Sequence, residues 1–105
     1  MSRVLTHLRE LGELTPKLGE GAYGPLWDSP RAVKCYAEPG FRRVTDQHGN
    51  EVVAELFCVF GPSTDINVGD KFEYDGRAYR TINVQKLRRF GSLHHIEAYF
   101  AGTKE

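Results

Sequence analysis

Apolar and polar residues start to alternate at Arg31, and from there onward the chain keeps the two-residue period of half-buried β-strands. Residues 31–38 set Val33, Cys35 and Ala37 on one face before Pro39-Gly40 interrupts them. Residues 41–45 continue as a short extension into a turn cluster, Asp46-Gln47-His48-Gly49-Asn50. The clearest strand is 51–60: Val52, Ala54, Leu56, Cys58 and Phe60 share one face, while Glu51 and Glu55 mark the other. Gly61-Pro62-Ser63-Thr64-Asp65 ends it. Residues 72–74 and 77–84 flank Asp75-Gly76, a strong hairpin signal because both central positions of a type I′ turn take positive φ. Residues 85–93 read as a basic loop containing Gly91, and 94–101 as a last strand with Ile96, Ala98 and Phe100 on one face.

The N-terminal part follows a different pattern. Val4, Leu8 and Leu11 fall at helical spacing between Ser2, a fair N-cap, and Gly12, a plausible stop. This predicts a short helix over 2–12 that must pack on something to be stable. Pro16, Gly19, Gly21, Gly24 and Pro25 break any period over 14–27, which predicts an irregular arm. The expected architecture is mainly β: a small barrel or sandwich of five to six antiparallel strands, with an N-terminal arm or short helix (residues 1–24) ahead of the barrel domain (residues 25–105).

At 105 residues the chain is one domain with a modest core. Its 14 basic and 14 acidic residues cancel, which disfavours a dedicated nucleic-acid or membrane-surface binder. The charges are nonetheless segregated. Asp46, Glu51, Glu55, Asp65, Asp70, Glu73 and Asp75 face a single base, Lys71; Arg77, Arg80, Lys86, Arg88 and Arg89 then follow with no acid. A solvated surface accounts for such runs, but two blocks of opposite sign are also what a head-to-tail contact between identical subunits needs. No apolar run approaches the roughly 18 residues of a membrane span. Residues 1–5 carry no signal-peptide core, so synthesis in a cytoplasm is expected.

Little in the chain suggests chemistry. Cys35 and Cys58 have no metal-ligand spacing and lie in strand-like runs, so both are expected as buried, reduced, inert thiols. His94 and His95, adjacent in a strand, are expected to point to opposite faces; His95 shares a face with Glu97, but two ligands do not make a metal site. The serines sit in no nucleophile elbow, and Gly19-Glu20-Gly21-Ala22-Tyr23-Gly24 neither follows a strand nor opens a helix. No catalytic, cofactor-binding or metal site is expected. Phe57, Phe90, Trp27 and Tyr23 are the aromatics placed for exposure, as anchors of a protein interface or as platforms for nucleic acid.

Several segments, taken in order, resemble a known family. They are Gly19-Glu20-Gly21-Ala22-Tyr23-Gly24-Pro25; Val44-Thr45-Asp46-Gln47-His48-Gly49-Asn50-Glu51-Val52-Val53; Gly61-Pro62-Ser63-Thr64-Asp65; Val68-Gly69-Asp70; Tyr74-Asp75-Gly76-Arg77-Ala78-Tyr79; and His94-His95-Ile96-Glu97-Ala98-Tyr99. Together they resemble the head-to-tail stopper, or head-completion, proteins of long-tailed phages, especially phages of actinobacteria, over residues 19–100. The resemblance implies a structural subunit of a hexameric or dodecameric ring in the virion neck. Such a ring retains packaged double-stranded DNA and joins portal and adaptor rings to the tail terminator or tail tube. It also implies a loop facing the channel, which by position is Phe41, Arg42, Arg43, Asp46, Gln47, His48, Gly49 and Asn50; with few apolar anchors, that loop is expected to be mobile in the free subunit. The charge blocks and aromatics give the expected contacts between subunits: Asp65, Asp70 and Glu73 against Arg80, Arg88 and Arg89, with Phe57, Phe90 and Trp27 supplying apolar area. The alternatives are a tail-terminator ring protein, or a small barrel module binding peptide or nucleic acid through its loops.

Overall fold

A computed structural model describes residues 10–103. The strands are β1 (Glu10–Thr15), β2 (Lys17–Gly21), β3 (Gly24–Trp27), β4 (Arg31–Thr45), β5 (Glu51–Phe60), β6 (Lys71–Tyr74), β7 (Arg77–Arg89) and β8 (Ser92–Gly102). Six of them close an antiparallel barrel in the order β1-β4-β5-β8-β7-β6, and β2 and β3 form a separate hairpin. The mainly β architecture expected from the alternation is therefore what the chain forms.

The alternating apolar residues meet inside. Leu14, Cys35, Leu56, Cys58, Phe60, Ile66, Phe72, Ile96, Ala98 and Phe100 are fully or almost fully buried. Phe72 stacks on Phe100 at 4.7 Å between ring centroids, and Phe60 meets both edge-on. Closure rests on a short seam, in which Glu13, Leu14 and Thr15 of β1 pair with Glu73, Phe72 and Lys71 of β6. Gly12 makes the seam possible: a Cβ there would stand 2.2 Å from the Phe72 ring.

Three N-terminal expectations are corrected. Residues 10–12 of the expected helix belong to β1; the remainder of that segment lies outside the described residues. Leu11 is exposed while Gly12 and Leu14 are buried, so residues 10–15 follow a strand period. The expected arm over 14–27 holds the end of β1 and the β2–β3 hairpin. A division at residue 24 would cut the barrel, because β1 is one of its staves.

The expected basic loop is also a hairpin. β7 runs to Arg89 and β8 starts at Ser92, joined by Phe90 (φ 53°) and Gly91 (φ 81°). This repeats the geometry of the expected turn at Asp75 (φ 51°) and Gly76 (φ 76°). Two hairpins overhang the wall. β5 pairs with β8 only from Leu56 to Phe60, so in the backbone ladder residues 51–54 pair with β4 alone, and residues 92–95 of β8 with β7 alone. These overhangs leave from opposite ends of the β5–β8 pairing. Both ends of the described chain sit by the Asp75-Gly76 turn: Thr103 donates its N–H to the Ala78 carbonyl, and β1 runs antiparallel to β6, so Glu10 lies at the end of β1 nearest that turn.

Candidate functional site

The segment expected to face a channel is a braced hairpin. Arg42, Arg43, Val44 and Thr45 pair with residues 51–54. The Asp46 carboxylate accepts the backbone N–H groups of His48 and Asn50, both at 2.9 Å. The hairpin bends at the irregularity after Pro39, and the Asn83 side-chain amide donates to the Thr45 carbonyl at 2.8 Å. Asp46, Gln47 and His48 then line a recess with Lys17, Val68, Gly69, Arg80 and Ile82. Side-chain-to-backbone bonds thus shape this turn, which periodicity does not report. Arg42 bonds Glu38 at 2.8 Å and lies over Phe57, and Arg43 pairs with Glu51 at 3.5 Å. Phe41 stands 80% exposed, and Gly49 and Asn50 complete the turn.

The acidic block does not form one face. Asp70 is 2% exposed and works internally: its carboxylate accepts the N–H of Lys17 and of Asn67, both at 2.9 Å. It ties the β1–β2 corner to the 67–70 turn and presents no charge to a neighbour, which corrects its expected place in an interface. Glu55 is also used internally, accepting from Gly102 N–H at 2.7 Å and from Arg77 at 3.4 Å. Asp65 lines a recess that also contains Arg31 and Lys34. Glu73 is exposed and stands directly across the seam from Glu13. Trp27 is half-buried under the Lys71 ammonium, 4.3 Å from its ring centre, and Phe57 packs on Tyr99 at 5.0 Å. These two aromatics are therefore partly covered within the subunit.

The basic block stays open. Arg80, Lys86, Arg88 and Arg89 are exposed, and none has an ion pair among the described residues. Arg89 lies 5.5 Å from the centre of the Phe90 ring, which is 95% exposed at the β7–β8 tip. Tyr23 is equally exposed at the β2–β3 tip. Each projecting hairpin thus carries a bare aromatic: Tyr23, Phe41 or Phe90.

His94 and His95 do not diverge as expected. Their Nδ1 atoms lie 2.7 Å apart, and His95 Nε2 is 3.0 Å from Glu97 Oε2. The β7–β8 ladder is irregular at Leu87/Arg88, opposite these histidines, and that breaks the strict alternation. No group of three metal-ligating side chains gathers among the described residues. Cys35 and Cys58 are fully buried free thiols inside the barrel, as their strand positions predicted. The Cys58 thiol is pushed up by its hydrogen bond with Cys35 and then by burial.

Sequence reasoning missed Glu13 and Glu10. Glu10 accepts the Ala37 N–H at 2.9 Å. The missing signal was the alternation of Gly12 and Leu14 with Leu11 and Glu13.

No protein-family model matches the chain, and no curated protein matches it significantly. Among solved structures it is similar to the phage-like element PBSX protein xkdH from Bacillus subtilis. The TM-score is 0.57 at 19% identity, over 89% of this chain and 92% of that one. The likeness is one of fold.

Proposed function

We propose that this chain is a structural ring subunit of a tailed-phage head-tail connector, in the stopper position. The observation that carries this reading is the barrel shared, nearly end to end, with a protein of a phage-like element. The ordered segments between residues 19 and 100 support it independently. So do the three projecting hairpins, each carrying an exposed aromatic, because a ring subunit between two other rings needs several different contact faces. In this reading the partners are copies of itself, the portal or adaptor ring, the tail terminator or tail tube, and the packaged DNA. The subunit acts in the virion neck, without catalysis or cofactor. The β4–β5 hairpin, with Gln47 and His48 at its turn, is the element directed to the channel.

The test is deletion of the gene from its phage, followed by electron microscopy of the lysate. Tailless heads that lose their DNA, rescued by the gene in trans, are expected. Normal tailed particles without the protein would overturn the proposal.

A further inference from the structure

Resting on the ring reading, we infer that the β7–β8 hairpin tip of one copy docks in an acidic trough on the barrel wall of the next. The two surfaces are separate in the fold, and each violates a local rule. The register places Ala32 of β4, Glu13 of β1, Glu73 of β6 and Ala78 of β7 in one row across the outer wall, all exposed. Two acids between two alanines make a shallow trough, bordered by Thr15, Trp27 and Pro30. Glu13 and Glu73 are directly opposed across the seam, an arrangement that repels in antiparallel sheets. Neither has an ion-pair partner among the described residues. The base beside them, Lys71, is drawn over Trp27.

The hairpin tip shows the complementary violation. Phe90 holds a φ of 53°, a region that bulky side chains avoid, with its ring in solvent. Arg88 and Arg89 precede it on the overhang, and Lys86 lies further back opposite Ile96, all without carboxylate partners among the described residues. Strain and like-charge contacts that a chain retains mark places where another demand is met. A tip of two arginines and one aromatic ring fits a trough of two carboxylates beside an indole. Arginine entering between Glu13 and Glu73 relieves their repulsion, and Phe90 gains apolar cover against Trp27 and Pro30. Donor and acceptor are different surfaces of one chain, so the contact is head-to-tail, the kind that closes rings.

The test uses the full-length protein at high concentration. Ser92→Cys protein is mixed with Ala78→Cys protein and treated with a short bismaleimide; the native thiols are buried and do not report. A heterodimer that neither variant forms alone is expected. Arg88→Glu/Arg89→Glu should lower its yield about tenfold, as should Glu13→Lys/Glu73→Lys, and mixing the two reversed chains should restore it. Self-association by sedimentation without the 92–78 cross-link, or without rescue by the double reversal, overturns the hairpin–trough contact and leaves the ring standing. Absence of self-association, both free and in particles, overturns both. If the arginine reversals leave association intact and instead abolish salt-sensitive binding to double-stranded DNA, the tip is a phosphate contact and the inference fails.

Discussion

Phe90 and Gly12 occupy each other's natural conformations. A phenylalanine stands at positive φ in solvent, while a glycine fills a buried strand position. Replacing Phe90 with glycine should release strain and raise the stability of the isolated subunit, by up to about 1 kcal/mol. The same change should weaken self-association; urea melts and sedimentation of one sample check both. Gly12→Val should act in the opposite sense. The Phe72 ring it meets is fully buried and stacked on Phe100, so it has nowhere to move. A loss of about 1–3 kcal/mol is expected in denaturant melts. A valine variant as stable as the parent would mean that the seam yields more easily than its packing suggests.

At the scale of elements, the sequence was most informative where one face is apolar and turn chemistry is strong. The 51–60 strand and the Asp75-Gly76 hairpin form as their residues predicted. The turn at Phe90-Gly91 was hidden because only its glycine favours positive φ, so two overhanging strands looked like a basic loop. β1 was hidden because its small buried residue, Gly12, carries no hydrophobic signal, and the exposed Leu11 falls at helical spacing from Leu8 in the sequence. The acidic block looked like a surface because a charge count does not reveal a carboxylate turned inward to satisfy backbone donors. Asp70 shows how much such a residue holds. Replacing it with alanine leaves the Lys17 and Asn67 amides without their acceptor and should cost about 2–3 kcal/mol. Faster hydrogen exchange at those amides than elsewhere in the barrel should accompany the loss; uniform exchange would show that the corner does not depend on it.

For the molecule as a whole, closure should have a signature at high pH. The Tyr74 hydroxyl is raised from its ordinary value to about 12, by burial first and then by its bond to Glu10. The folded state therefore favours the protonated phenol. That contribution is complete below the ordinary tyrosine value of about 10, and is lost as pH rises from there through about 12. Tyr36, raised by its bond to Glu38, adds a slope of the same sign. Tyr74→Phe should consequently flatten, without abolishing, the fall in urea midpoint across this range; an unchanged slope would remove Tyr74 from the account. The closed order leaves little edge on the short strands β1 and β6, and among the described residues unpaired edges run along the β2–β3 hairpin, the two overhangs, and the parts of β4 and β7 that extend past β1 and β6. Since Glu10 and Thr103 share the Asp75-Gly76 end, a label placed at either residue stands at that pole, far along β7 from Phe90. Gold labels attached at either residue would therefore form a single tier in a side view of an assembled neck, and the height of that tier would tell which way up every subunit stands.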